Sequence, residues 1–286
     1  MIKIIKDLFN MPRSLMGEST QKTIKYLKKI VPEINVLRFK TGTKVFDWIV
    51  PQEWNIKDAY IKDSSGKKIL DFKKNLLSIV YYSIPIKKWI LKKDLIKKIH
   101  FDNKLPNAVP YVTSYYKKAW GFCMSKNRLK RLNKKKYFIN IDTNFKKGFL
   151  EIGEYFKKGK NKKEIFFSTY ICHPSMANDN LSSIAVQLNL IKYLKENYRN
   201  SFFSYRFVFL TETIGSICYL SKKKDKLKKN MMLGFALSCL GDDHNYSLIK
   251  SRNDDSLSNY AIRSALIGKK NVSEYEFLER GSDERQ

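Results

Sequence analysis

The second half of the chain repeats one rhythm, and that rhythm restricts the folds open to it. An apolar run, Ile165-Phe166-Phe167-Ser168-Thr169-Tyr170-Ile171, is followed by a loop and then by Ile184, Leu188, Ile191 and Leu194 at helical spacing. The second pass is Tyr205-Arg206-Phe207-Val208-Phe209-Leu210, with a helix opening over Ile214 to Leu220. A third strand is expected from Met231 to Leu240, running into the polar turn Gly241-Asp242-Asp243-His244. Short apolar runs read as buried strands, and apolar residues three and four apart read as one face of a helix. Strands separated by amphipathic helices build a largely parallel sheet covered on both faces, so an α/β fold is expected.

Upstream the pattern is different. The first 35 or so residues read as helical, with Ile24, Leu27 and Ile30 on one face after a cap at Ser19. From Thr41 the chain turns to short aromatic runs such as Val45-Phe46-Asp47-Trp48-Ile49-Val50 and Asp58-Ala59-Tyr60-Ile61, broken by Pro51 and Ser64-Ser65-Gly66. This small β-rich unit is expected to continue through Leu76 to Tyr82 and to end after Trp120-Gly121-Phe122. Three parts are therefore expected: an N-terminal helical part of the core over 1–40, an inserted β-rich domain over 41–135, and the α/β core over 136–286.

At 286 residues and 43% hydrophobic, the chain can bury a substantial core. Its net charge of +29 raises the possibility of a polyanion partner. The lysines are dispersed, however, from Lys67-Lys68 and Lys92-Lys93 to Lys134-Lys135-Lys136, Lys157-Lys158 and Lys222-Lys223-Lys224, among many Ile, Asn and Tyr. That mixture fits a biased base composition better than a dedicated nucleic-acid surface, and polyanion binding ranks as the last alternative. The start, Met1 to Phe9, interrupts its apolar residues with charges too often for a signal peptide, and no apolar stretch is long enough to span a bilayer. A cytoplasmic protein is expected. Cys123, Cys172, Cys218 and Cys239 form no CxxC pair and are read as reduced, buried thiols. Oligomeric state is not legible.

Each of the three strands ends in residues that can bind a metal: His173 and Asp179 after the first, Glu212 after the second, Asp242 after the third. In open α/β sheets the loops beyond the carboxyl ends of strands converge on one crevice. A single Asp or Glu in such a loop is ordinary solvated polarity. Four metal-competent residues in consecutive loops point to a site. Imidazole with several carboxylates suits Zn²⁺, and a bridging carboxylate can hold two ions. His100 reads as a surface histidine and His244 as part of a solvated turn.

The segment His173-Pro174-Ser175-Met176-Ala177-Asn178-Asp179-Asn180-Leu181-Ser182 resembles the HPSxANDNLSG signature of a bacterial family with an aminopeptidase-like domain, often associated with polysaccharide biosynthesis loci. Arg13-Ser14-Leu15-Met16-Gly17 is similar to that family's N-terminal RSxxG. Thr41-Gly42-Thr43-Lys44-Val45-Phe46-Asp47-Trp48, Pro51-Gln52-Glu53-Trp54-Asn55 and Tyr111-Val112-Thr113-Ser114-Tyr115-Tyr116 with Trp120-Gly121-Phe122-Cys123 resemble its inserted domain. Thr213-Ile214-Gly215-Ser216, Cys239-Leu240-Gly241-Asp242 and Asp283-Glu284-Arg285-Gln286 complete the series.

The resemblance implies a three-layer core like that of the co-catalytic di-zinc exopeptidases, with a mainly parallel mixed sheet and an inserted β-rich domain. It implies that His173 and Asp242 ligate one zinc, that Asp179 bridges, and that Glu212 is either the general base or a ligand of the second zinc. Relatives carry an Asp two residues after the first His to orient the imidazole, where this chain has Ser175. Their final His ligand lies beyond the position matching Asp283 to Gln286. The expectation is therefore a truncated chain with one zinc site, against two in the full-length family. The implied reaction is amide hydrolysis on a peptide or an acylated amino sugar. The alternative is a non-catalytic binding or scaffold protein of the same fold.

Overall fold

The computed structural model describes residues 1–115 and 117–279; Tyr116 and the Asp283-Glu284-Arg285-Gln286 motif lie outside the described residues. Helices α1 (Ile2–Phe9) and α2 (Glu18–Ile30) lead into strand β1 (Asn35–Lys40). The chain then leaves for a second sheet made of β2 (Glu53–Lys62), β3 (Lys68–Asp71), β4 (Ile86–Leu91) and β5 (Lys136–Lys146). It returns through β6 (Phe149–Lys157), β7 (Glu164–Tyr170), α3 (Ser183–Asn197), β8 (Ser204–Leu210), α4 (Ile214–Asn230) and β9 (Met231–Ala236).

These last elements form a mixed five-stranded sheet in the order β1-β6-β8-β7-β9. Strand β7 lies parallel to both β8 and β9, with Tyr170 opposite Leu210 and Phe167 opposite Phe235. Strands β1 and β6 add antiparallel on the far side. The three parallel strands therefore discharge their loops at one rim. Helix α3 buries Ile184, Leu188, Ile191 and Leu194, the face expected from their spacing, against Phe207 and Phe209. Each such fully buried aliphatic side chain contributes roughly 1.5–3 kcal/mol relative to exposure.

One local expectation changes. Helix α2 is capped by Gly17, not Ser19, whose carbonyl instead accepts from Thr23 Oγ1 at 2.9 Å. Gly17 sits at φ +149°, where a Cβ would stand 2.4 Å from the Trp54 carbonyl oxygen. Only glycine fits so close an approach. Between Leu76 and Tyr82, a 3₁₀ turn at Leu76–Ser78, capped by Asn75, is followed by isolated bridges from Ile79 to Phe122 and from Tyr81 to Thr113.

The second sheet runs β3-β2-β5-β4, antiparallel throughout. Its strand β5 begins at Lys136, so the chain rejoins the five-stranded sheet at Phe149, later than the expected return at 136. An alternating pattern marks β5 as a strand, but alternation does not say which sheet will receive it. One apolar cluster spans both sheets, joining Trp54, Ala59 and Ile139 to Leu150, Ile152 and Val208. A second, on the other face, packs Leu8, Ile24 and Leu27 with Leu188 and Phe207. Three of the cysteines are buried as expected, whereas Cys239 is exposed. No helix among the described residues is long and apolar enough to cross a membrane.

At the amino ends of β7 and β8 lies a buried ion cluster. Arg206 donates to both oxygens of Glu164, at 2.6 and 2.9 Å, and pairs with Glu154 at 2.9 Å. Glu154 also accepts from the Tyr219 hydroxyl and pairs with Lys223 at 3.3 Å. Burial alone would raise the Glu154 carboxyl, but Tyr219, Arg206 and Lys223 outweigh it and hold it below the usual range.

Candidate metal centre

At the opposite rim, the loop after β7 carries His173 and Asp179, and the loop after β8 carries Glu212. The structure brings these three together. His173 Nδ1 stands 3.2 Å from Asp179 Oδ1, and Nε2 stands 2.9 Å from Glu212 Oε2. The ring is 8% exposed, while the Asp179 and Glu212 side chains keep 39% and 26% of their surface, so the carboxylates face solvent and the imidazole does not. Burial opposes protonation of His173, but hydrogen bonds and charge from Asp179 and Glu212 prevail and hold its pKa at about 9. Asp179 is in turn pushed below its ordinary value: burial opposes this, and contact with the ring and with Tyr170 overcomes it.

Backbone and amide contacts fix the rim. Asn180 donates to Thr169 Oγ1 at 2.7 Å and to the Leu237 carbonyl at 3.2 Å, and accepts from Cys239 N–H at 3.2 Å. It staples the end of β7 to the loop after β9. Asn178 does the same one step outward, accepting from Gly241 N–H at 2.7 Å and donating to Asp242 Oδ2 at 2.9 Å. A Cβ on Gly241 would meet Ser182 Cβ at 2.7 Å, so this approach of the two loops needs glycine. The Tyr170 hydroxyl donates to Asp179 Oδ1 at 2.5 Å and stands 2.9 Å from Ser238 Oγ. Beneath the site, fully buried Arg13 donates through Nε to the His173 carbonyl at 3.1 Å and through another nitrogen to the Leu8 carbonyl.

Asp242 is tied to Asn178 and to the backbone N–H of His244, which lower its pKa, and it lies on the exposed side of the rim. Among the described residues, the group of metal-competent atoms lying within 4.8 Å of one another is Cys172, His173 and Glu212, without the expected ligands Asp179 and Asp242. Ser175 does not support the ring, because its hydroxyl donates to the Phe9 carbonyl at 3.1 Å. Asp179 stands on Nδ1 instead. His100 and His244 are both exposed. Sequence reasoning passed over Cys172, Tyr170, Asn178, Asn180 and Arg13 as parts of the site. The two asparagines flanking Asp179 were the available signal, since adjacent amide side chains in a loop commonly brace backbone.

The donor set fits zinc. Two ligands each about 2.1 Å from a tetrahedral ion stand about 3.4 Å apart. The His173 Nε2–Glu212 edge, at 2.9 Å, is near that spacing, with Cys172 in the same group, whereas Asp179 meets the other ring nitrogen and does not share that ion in this arrangement. One ring nitrogen can face an ion while the other keeps a carboxylate partner, the usual support of an imidazole ligand.

The architecture is that of the zinc aminopeptidases. The structure of BSAP, a zinc aminopeptidase from Bacillus subtilis, matches with a TM-score of 0.63 at 15% identity, covering 94% of this chain and 78% of that one, a likeness of fold. The chain belongs to the family described as Domain of unknown function (DUF4910), which matches residues 2–286. It is 40% identical over 286 residues to a Clostridium acetobutylicum protein named as a polysaccharide biosynthesis protein with aminopeptidase-like domain. That match covers 99% of this chain and 64% of the relative, so the chain spans less than two thirds of that protein's length. A crystal structure from Clostridium acetobutylicum, named as a peptidase, matches with a TM-score of 0.94 at 39% identity, covering 99% of this chain and 67% of that one.

Proposed function

We propose that the chain forms the zinc-holding part of an aminopeptidase-like amide hydrolase. The observation that carries this reading is the His173 imidazole clamped between Asp179 and Glu212 at the loop rim of the parallel strands. Zinc bound there would polarise the amide carbonyl and lower the pKa of a coordinated water from 15.7 towards about 7. His173, through Nε2, and Glu212 would hold it beside Cys172, with Asp242 reaching in from the neighbouring loop. Glu212 would accept a proton from the attacking water as its oxygen bonds to the carbonyl carbon. It would return that proton to the leaving nitrogen as the C–N bond breaks, giving a carboxylate and an amine. Asp179, fixed by Tyr170, would keep the imidazole oriented. The substrate would be a peptide or an acylated amino sugar, the latter in keeping with the name of the Clostridium relative.

Metal analysis of the purified protein tests this. About one zinc per chain is expected in the wild type, with most of it lost in Asp179→Ala while the fold is kept. A folded wild type that takes up no zinc overturns the proposal. A second reading is a binding or scaffold protein, favoured by the fact that Glu212 stands alone between Thr211 and Thr213. One carboxylate then serves where base and ligand roles call for two. Zinc uptake without hydrolysis of any amide by a chain extended to the relative's full length would favour it.

A further inference from the structure

The lysines are dispersed along the sequence, but folding concentrates some of them at one edge. Strand β4 forms that edge of the second sheet beside β5, with Trp89 opposite Phe138 and Leu91 opposite Lys136. The chain then enters a short helix, Lys92–Ile96, and the Lys92 N–H donates to the Lys135 carbonyl at 2.9 Å. The two chain segments that meet here are strongly basic. Residues 86–98 hold six lysines against one acid, Asp94, and residues 126–136 hold seven Lys and Arg with no acid, whereas the whole chain has 56 basic to 27 acidic residues.

Apolar surface lies among these cations. Trp89, Leu91 and Ile96 are 50, 51 and 37% exposed. Leu91, Ile96 and the stems of Lys92, Lys93 and Lys135 line a shallow cleft of about 420 Å³ whose walls are almost wholly apolar. On the same outward face the Trp89 ring packs edge-on against Phe138 at 5.5 Å, and Phe138 lies 6.5 Å from Tyr60. Lys136 stands over the Trp89 ring at 5.2 Å, and Lys62 and Lys68 stand over Tyr60 at 4.9 and 4.7 Å. Of the acids on this sheet, Asp71 pairs with Lys68 at 3.0 Å, and Asp58 and Asp142 stand opposite each other further along β5.

Lysine on a sheet edge is an ordinary guard against pairing with another strand. Exposed Trp, Leu and Ile beside it would undo that protection. A phosphate polymer answers the ammonium groups but brings no hydrocarbon to the cleft, and bases stack on open ring faces, whereas Tyr60 and Trp89 already carry lysine ammonium groups over theirs. An anionic bilayer answers both features. Its headgroups face the cations, its acyl chains receive Trp89, Leu91 and Ile96, and the lysine stems lie along the apolar boundary with their charges at the surface.

We propose that the β4 edge, centred on Trp89, Leu91, Ile96, Lys92, Lys93 and Lys135, docks the protein on an anionic lipid surface. The contact is peripheral and is independent of the metal reading.

The test is co-sedimentation with vesicles of phosphatidylglycerol and phosphatidylcholine in equal amounts, against vesicles of phosphatidylcholine alone. The wild type is expected to bind the mixed vesicles and not the neutral ones. Leu91→Asn is expected to weaken that binding roughly tenfold, and Lys92→Gln combined with Lys135→Gln about thirtyfold. Lys158→Gln combined with Lys162→Gln removes the same charge from the loop after β6 and is expected to bind like the wild type. Equal weakening by that control pair would reduce the effect to the net charge of +29 and overturn the proposal. So would a wild type that leaves the mixed vesicles in suspension alone, or binding that Leu91→Asn does not alter. Tighter binding of an oligothymidylate than of the mixed vesicles would assign the face to nucleic acid and overturn it as well. Unfolding midpoints are read on every variant, and where Leu91→Asn lowers its own, the two lysine pairs decide.

Discussion

Two charged clusters occupy opposite ends of the same parallel strands, and they are finished differently. At the amino end, Arg206 is 1% exposed, and its guanidinium is matched to Glu164 on one side and Glu154 on the other, with Tyr219 and Lys223 completing the set. At the carboxyl end, one imidazole faces two carboxylates that remain open to solvent. The first cluster resembles a knot whose strands are all tied; the second holds acid in excess of base. Surplus negative charge gathered round a sheltered nitrogen is what a divalent cation would relieve. Charge burial alone therefore does not mark a functional site. Imbalance of charge together with access does.

The largest effect that could break this contrast is Arg206→Met. It would leave Glu164 and Glu154 buried without their cation, and the loss of one partner from such a pair costs about 3–5 kcal/mol. Urea unfolding should show that loss, with zinc uptake by the remaining folded protein unchanged. A cost below about 1 kcal/mol would mean that the amino-end cluster is not structural.

Acid should act next, and on the same end. The folded Glu154 carboxyl titrates lower than its unfolded counterpart, so its stabilising contribution is complete above about pH 4.3 and is lost as pH falls through the folded value. Unfolding midpoints should rise slightly from pH 7 to 5, as the raised His173 pKa brings its full contribution below its unfolded value near 6.5. They should then decline at lower pH, and Glu154→Gln should flatten that decline. An equal acid response in Glu154→Gln would assign the loss to other carboxylates.

The smallest change in stability is expected at the other end. Glu212→Gln relieves like charge near Asp179 at the expense of one bond to His173, and should move the thermal midpoint by no more than about 4 °C, equivalent to roughly 1 kcal/mol. The same variant should lose most of its zinc. Retention of zinc with a large drop in midpoint would reverse the roles assigned to the two ends.

How much of this was legible follows from the range of the interactions involved. The strand–helix alternation and the buried face Ile184, Leu188, Ile191, Leu194 depend on local periodicity, and the structure keeps them. The convergence of His173, Asp179 and Glu212 follows from strand direction, which the connecting helices disclose. What sequence does not disclose is pairing at a distance. That Asp179 rather than Ser175 supports the imidazole depends on the path of the loop from residue 173 to 182. That β5 joins β2 depends on register across 78 to 91 residues, from Ile61 opposite Ile139 to Trp54 opposite Phe145. Gly17 as the α2 cap depends on the arrival of Trp54.

Arg13 carries a consequence in time. Its hydrogen bond to the His173 carbonyl joins residues 160 apart, so a residue made well before the rim is a support of a site completed much later. At a synthesis rate of about 5–20 residues per second, roughly 8 to 32 seconds separate the emergence of the two. Through that interval the guanidinium must wait for its partner, and a chain lacking α1, α2 and the segment between them would lose this support without losing any of the rim's ligands.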